Sequence, residues 1–320
     1  MIASLLLSVF LIAGEPVQGD FLIMFWNLEN FFDWHDGGLN DSDKEFSSYG
    51  SRHWSRNKFY AKSRAVAKTL LWVADKEGNM PDVFAVAEIE NRFVLKSLLD
   101  ETILRKFDYE IVHYDSPDPR GIDVALIYRR SSLRLLHSSP IRVSDMNTAS
   151  GTMALRTRDI LLAEFLRENG DSLAILVNHH PSKYGGGDTD WRRKAALGRL
   201  KAVKDSLEVS GYKYVVATGD FNDTPENTVF DGADDMVNLA LPLSLRGEGT
   251  IRFNGRWELI DMFMVTPSLR DWVTMDILHV PFLTVWDNTH SGDKPLRTYS
   301  GPRYIGGVSD HCPILLRISR

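Results

Sequence analysis

The sequence predicts an α/β or α+β fold whose sheets are covered by helices. Three observations carry this reading. Short β-rich apolar runs recur along the chain, amphipathic helical patterns stand between several of them, and polar residues sit repeatedly where the apolar runs end. Residues 21–26 (FLIMFW) read as a buried strand bounded by Asp20 and Asn27. The spacing predicts a helix over 56–74, with Phe59, Val66, Leu70 and Val73 on one face and Lys58, Lys62, Arg64 and Lys68 on the wet side. A strand at 82–87 follows Pro81. Further strands are predicted at 109–114, 123–128, 160–166, 173–178 and 214–218. Between the last two, 191–207 is helical, with Ala196, Leu200, Val203 and Leu207 spaced by four, three and four. Strands at 259–265 and 313–318 close the chain. Three connections, 33–52, 182–190 and 288–307, are long, polar or glycine-rich, and long loops often carry function.

Composition narrows the class. The chain has 320 residues, 43% apolar and 25% charged, which is ordinary for a globular protein. Its 16 Phe, 8 Trp and 10 Tyr fill a large core, so a disordered chain is excluded. One cysteine, Cys312, excludes an internal disulfide framework and a thiolate zinc cluster. A formal charge of −6 argues against a protein that holds nucleic acid mainly by neutralising phosphates, but leaves room for an enzyme that touches a few of them. Residues 2–13 form a nearly unbroken apolar run. It is shorter than the roughly 20 residues that span a bilayer and fits the apolar region of a secretory signal. Val17 and Gly19 offer small residues before a cleavage at Asp20. Residues 1–19 are therefore expected to be a signal peptide, residues 20–320 a single domain, and the mature protein secreted or periplasmic. No later stretch is long and apolar enough to make a membrane helix, and a monomer is expected.

The chemistry sits at the strand ends. Asn27 follows FLIMFW, Glu88 follows DVFAVA, Asn178 and His179 follow SLAILV, and Asp220 and Asn222 follow YVVATG. Asp261 lies inside WELIDMFMV, and Asp310 and His311 precede PILLRI. An aspartate in an apolar strand is costly to bury unpaired and asks for a histidine or a cation as partner. Four carboxylates, three amides and two histidines favour a hard divalent cation, Mg²⁺, Mn²⁺ or Ca²⁺, over zinc. The P-loop, GxSxG, GxGxxG and HExxH patterns are absent, which takes weight from nucleotide-driven motors, serine hydrolases, Rossmann enzymes and zinc proteases.

TGDFN at 218–222 and SDHCPI at 309–314 resemble the endonuclease/exonuclease/phosphatase superfamily, and further motifs support the likeness in order along residues 21–320. FWNLEN at 25–30 is similar to the family's opening strand with its Asn, and AEIEN at 87–91 to its strand-end Glu motif. RGIDVALIY at 120–128 resembles the middle strand, VNHHPS at 177–182 the His strand, and ELIDMFMV at 258–265 the late Asp strand. The resemblance implies a four-layered sandwich, two packed mixed β-sheets flanked by helices, and metal-dependent hydrolysis of a phosphoester by in-line attack of water. It implies Glu88 as the principal metal ligand, Asn27 beside it, and Asp310 as a ligand or its support. Asp220 would orient or deprotonate the water, with Asn222 holding that water or a phosphate oxygen. His311, oriented by Asp261, would hydrogen-bond the phosphate or transfer a proton, and His179, rather than the neighbouring His180, would stabilise charge on phosphate oxygens. Asn178, Lys183 and Arg192 are candidates for substrate contact. Asp123 departs from the pattern and is expected either to pair with Arg120 or to contact a metal or the substrate. Nucleic acid is the first choice of substrate. A small phosphoester of the inositol-phosphate type and a sphingomyelinase-like lipid are the alternatives, and a non-catalytic binding protein is a remote one. A lipid substrate would favour an exposed apolar hairpin, for which 272–286 is the candidate, unless it is core strand.

Overall fold

In the computed structural model, residues 20–143, 155–183, 189–233 and 235–319 are described, together with a short hairpin at 147–148 and 151–152. The expected signal peptide and residues 184–188 of the long polar loop lie outside the described residues. Twelve strands form two six-stranded mixed sheets. They are β1 (Phe21–Phe31), β2 (Val83–Ile89), β3 (Tyr109–His113), β4 (Asp123–Arg129), β5 (Leu133–Ile141), β6 (Ile160–Arg167), β7 (Ser172–His179), β8 (Tyr214–Asp220), β9 (Val237–Asn238), β10 (Asp261–Val265), β11 (Val273–Ile277) and β12 (Ile314–Ile318). The first sheet runs β11-β12-β1-β2-β4-β3 and the second β9-β10-β8-β7-β6-β5. Each sheet holds one parallel pair, β1 with β2 and β7 with β8, and its other neighbours are antiparallel.

The alternation of β1 explains the layering. Phe21, Ile23 and Phe25 face the second sheet and join a core with Leu173, Ile175 and Val216. Leu22, Met24 and Trp26 face the opposite way, onto α1 (Arg56–Glu77) and α2 (Arg92–Asp100), through Phe59, Val66, Leu70, Leu95 and Leu98. A strand buried on both faces reads as one continuous apolar run, which is what FLIMFW is. Helix α3 (Asp190–Val209) covers the second sheet with Ala196, Leu200, Val203 and Leu207, the residues its periodicity selected. Ser55 and Gly78 delimit α1, the serine accepting the Lys58 amide and the glycine adopting a left-handed C-cap.

Three expectations need correction. Lys62 is not on the wet side of α1 but is 2% exposed, its ammonium donating to Glu29 O at 2.7 Å and Thr298 Oγ1 at 3.0 Å. Edge strand β5 and helix α2 were not anticipated. LRLLHSSPI is largely solvent-facing and carries no clean alternation, and α2 is only nine residues long. Residues 272–286 are neither one hairpin nor one core strand, since 273–277 join the first sheet while Trp272 and Trp286 stay exposed. The loop at 33–52 contains a short helix, Asp41–Glu45, capped by Asn40. After β10 the chain adds small hairpins, Thr284–Trp286 with Asp293–Pro295 and Tyr299–Ser300 with Arg303–Tyr304. A further one, Ile251–Phe253 with Arg256–Glu258, precedes that strand. Among the described residues no helix is long and apolar enough to cross a membrane.

Candidate active site

The two parallel pairs deliver their C-terminal ends to one opening, the usual position for a site in such sheets. From β1 comes Asn27, which is buried and donates its amide to Asp220 Oδ2 at 3.0 Å. From β2 comes Glu88. Both strands bulge here, the register shifting between Asn27 and Phe31 and between Ala87 and Ile89. A bulge re-aims a side chain that the pleat would otherwise send into the core. Glu29, Asn30, Glu88 and Asn222 all adopt positive φ, from 43° to 60°. Such backbone is costly for a residue with a side chain, and it clusters at functional sites where the surroundings enforce it.

In the second sheet Asp220 lies opposite His179 on one side and Asp261 on the other. Gly219 makes this spacing possible. A Cβ there would lie 2.1 Å from Asn178 O, and its φ of 152° is one that side chains rarely take. His311 enters from the segment before β12, and its Nδ1 meets Asp261 Oδ2 at 2.8 Å. Its Nε2 points toward Asp220 Oδ2 at 3.9 Å and Asp310 Oδ1 at 3.9 Å. His179 Nε2 lies 3.7 Å from Asp220 Oδ2 and 3.8 Å from Glu88 Oε1. The structure thus brings together Asn27, Glu88, His179, Asp220, Asp261, Asp310 and His311 from separate parts of the chain. Asn222 caps the group, its amide NH on Asp220 Oδ1 at 2.8 Å and its side chain on His180 O at 2.8 Å.

Burial and crowding set the protonation. Asp220 is pushed up to about 7 by burial and by the charges of Asp261 and Glu88, against the pull of His311. Burial disfavours a charged His311, yet Asp261, then Asp220 and Asp310, outweigh it and lift the ring well above its usual range. His179 is held well below, by burial and then by the cations Arg158 and Arg120. One histidine is therefore poised as a cation and the other as a neutral ring. The donor set also fits a hard cation. Glu88 Oε2 accepts the Asn30 amide at 2.9 Å, while Oε1 faces His179 beyond hydrogen-bond distance. Asp220, Asp261 and His311 offer atoms within 4.8 Å of one another, and the mutual repulsion of these carboxylates is what a divalent ion relieves.

Several contributors were not singled out by their residue types. Glu29, buried at the end of β1, accepts Arg297 Nε at 2.9 Å and the Thr298 amide at 2.8 Å, and Arg297 pairs with Asp310 Oδ2 at 3.0 Å. With Lys62 beneath it, this chain of charges ties the loop carrying Asp310 and His311 to β1. The signal for Glu29 was a lone acid inside an apolar strand. Arg158 is buried and donates to His179 O at 3.1 Å and to His180 O, with Asp118 as its counter-ion at 2.9 Å. An arginine that works on backbone carbonyls leaves no sequence signal.

Other expected residues are placed differently. Asn178 is fully buried, its amide on Leu176 O and Thr218 O, so it supports the sheet and does not reach a substrate. Lys183 pairs with Asp223 Oδ1 at 2.6 Å. Arg192 is exposed, its guanidinium 5.5 Å from the ring centre of Trp191. The inward arginine of α3 is Arg193, which binds Asp223 at 3.0 Å. Lys183 and Arg193 both hold the loop after β8 through Asp223. His180 is buried against Phe221 at 4.7 Å, as the packing reading expects. Asp123 pairs with neither Arg120 nor the site. It holds His113 at 3.0 Å and the Ser116 amide at 2.9 Å, while Arg120 lies at 3.4 Å from Asp118.

Comparison with known proteins gives a consistent picture. A family model described as "Endonuclease/Exonuclease/phosphatase family" matches residues 22–320. Comparison with curated proteins gives no significant match. Among solved structures, the truncated TDP2 of Caenorhabditis elegans is 16% identical, covers 94% of this chain and 98% of its own, and has a TM-score of 0.60. The human nocturnin catalytic domain with bound sulfate is 16% identical, covers 94% of both chains, and has a TM-score of 0.59. A mannosyl-6-phosphatase of Bacteroides thetaiotaomicron is 15% identical, covers 94% of this chain and 100% of its own, and has a TM-score of 0.59. At these identities the likeness speaks for the fold.

Proposed function

The chain belongs to the endonuclease/exonuclease/phosphatase family, and from that premise we propose that this phosphoester hydrolase is a Mg²⁺- or Mn²⁺-dependent phosphodiesterase acting on nucleic acid. The observation that carries the mechanism is the His311–Asp261 pair at 2.8 Å, facing Asp220 beside Glu88 and Asn27. Glu88, with Asn27 beside it, would hold the metal, which when bound supplies Lewis-acid neutralisation of the phosphate. Asp220, with a carboxylate poised near neutrality, orients and deprotonates the attacking water. Asn222 limits the freedom of Asp220 through the backbone bond to its Oδ1. Asp261 fixes the His311 ring so that Nε2 presents a proton to the phosphate or the leaving oxygen. His179, neutral and buried, presents Nε2 to charge growing on a phosphate oxygen.

The test is hydrolysis of bis(p-nitrophenyl) phosphate with Mg²⁺, with Mn²⁺ and with EDTA, beside a His311→Ala control. Metal-dependent turnover that the variant lacks supports the reading; no turnover with either metal rejects it. A panel of plasmid DNA, RNA, inositol polyphosphates and sphingomyelin then decides the substrate. Nicked plasmid or cleaved RNA supports the nucleic-acid reading. Intact nucleic acid with phosphate released from inositol polyphosphates would make the protein a phosphatase, and cleaved sphingomyelin a lipid phosphodiesterase. We further propose an exported monomer beginning at Asp20. Exported protein that retains Met1 by mass spectrometry, or a dimer in sedimentation, would reject that.

A further inference from the structure

A cleft of about 1090 Å³ runs from Asn222, Asp310 and His311 to a wall built by the small hairpins 251–258 and 284–295. This exceeds the usual range for a small-molecule pocket. We propose that the cleft is a binding groove for single-stranded nucleic acid, with Phe253 and Trp286 as base-stacking platforms and Arg303 as a phosphate contact. The proposal rests on the phosphodiesterase reading and adds the substrate's path across the surface.

The wall is rigid. Arg252 spends its guanidinium on four backbone carbonyls, those of Gly255, His290, Ser291 and Asp293, at 2.7 to 3.3 Å, so one hairpin is bonded to the tip of the other. At Gly255 a Cβ would lie 2.7 Å from His290 Cβ, so the first hairpin turns closely against the His290 side chain of the second. Asp287 fastens the second hairpin internally through Lys294 and His290, each at 3.1 Å. On this fixed frame two large rings remain in solvent, Phe253 at 61% and Trp286 at 56% exposure. Rings carried on a hydrogen-bonded frame yet left unburied do nothing for the core. They are preorganised for a flat apolar partner.

Charge selects the partner. In a protein of net charge −6, the cleft is lined by four arginines and lysines against two aspartates. Both aspartates already have cations, Asp287 in Lys294 and Asp310 in Arg297. Arg303 has no carboxylate partner among the described residues and stands exposed on the cleft. Exposed aromatic faces and cations lining one groove that leads to a phosphoesterase centre match a strand of unpaired bases joined by phosphates. A duplex keeps its base faces stacked and offers none to Phe253 or Trp286. A bilayer does not enter a concave cleft.

The experiment measures binding apart from turnover, with EDTA present. Fluorescein-labelled oligothymidylate and oligouridylate of about 20 nucleotides are titrated by anisotropy, and unlabelled strands by tryptophan fluorescence. Phe253→Ala and Trp286→Ala are each expected to weaken binding about fivefold or more, the magnitude of one lost stacking contact. Arg303→Ala should flatten the salt dependence by about one phosphate. Trp272→Ala is the control, because Trp272 is 57% exposed but lies in a different pocket with Arg167 and Tyr214. Binding by Phe253→Ala and Trp286→Ala within about twofold of the native protein overturns the proposal, as does equal competition by a duplex of the same length. A blue shift of tryptophan emission on phosphatidylcholine vesicles, with no quenching by oligonucleotide, also overturns it and gives these rings to a membrane. None of these outcomes touches the bis(p-nitrophenyl) phosphate assay, so the groove and the phosphodiesterase reading fail separately.

Discussion

Asp261→Asn isolates what the buried dyad does. The substitution keeps the shape of the side chain and removes one charge. His311 is lifted above its ordinary range against the opposing effect of burial, and Asp261 is the foremost of the carboxylates that lift it. The lost interaction is a hydrogen bond between charged groups at 2.8 Å, both side chains being less than a tenth exposed. Such a bond is worth about 1.5–3 kcal/mol. If it is expressed in the transition state, kcat falls roughly 10- to 150-fold. Removing the ring itself by His311→Ala should cost more, roughly 10²- to 10⁴-fold. The pH profile carries the sharper signature. The imidazolium is the donor, so activity falls at high pH as His311 deprotonates, and without Asp261 that limb moves to lower pH. Asp261 also raises Asp220, so the acid limb moves the same way. The assay is a pH–rate profile of bis(p-nitrophenyl) phosphate hydrolysis at saturating Mg²⁺, with thermal unfolding as the check on folding. A variant as active as the native enzyme, with both limbs unmoved, refutes the dyad.

Other consequences follow from the same geometry. Gly219→Ala drives a Cβ into Asn178 O and forces an unsuitable φ, so it should destabilise by about 2–5 kcal/mol and abolish activity; a melting temperature within a degree of the native value would contradict this. His180 is held down to about 3 by burial, Arg158 and Arg193, so between pH 6.5 and 3 the unfolded chain binds a proton that the folded chain refuses. Stability should therefore fall on acidification, by about 2 kcal/mol from this ring at pH 5, and His180→Phe should lose that component in urea titrations at pH 7 and 5. Identical pH dependence in the variant would count against it. Cys312, buried and raised to about 12 with Asp261 adding to the effect of burial, should resist a thiol reagent in the native protein and react once it is denatured; rapid native labelling would show the segment around His311 to be open.

The sheets and most of the site were legible because their signals are local. A strand buried on both faces announces itself as FLIMFW, and a carboxylate at the end of such a run, as at Glu88 or Asp220, is improbable unless something holds it. The missing parts are those whose meaning is set by distant partners. Lys62 looks like any other lysine on the wet face of a helix, and only the fold places Glu29 and Thr298 against it. Arg158 and Arg252 bind carbonyl oxygens, which every residue possesses, so no pattern of side chains marks them. Arg192 and Arg193 are neighbours in sequence with opposite fates, because the roughly 100° step between adjacent helical residues decides which faces Asp223. Asn178 shows the reverse error, since a polar residue at a strand end here serves the sheet itself.

The position of β12 also bears on how the protein is made. Ile318 pairs with Phe21, so β1 stays open on one side until Ile314–Ile318 have been synthesised. His311 emerges just ahead of that strand, long after Asn27, Glu88, His179 and Asp220. A ribosome-bound chain thus carries most of the candidate site residues before the strand that aligns them has formed, and a pairing between residues as far apart as 21 and 318 is among the slow contacts to form.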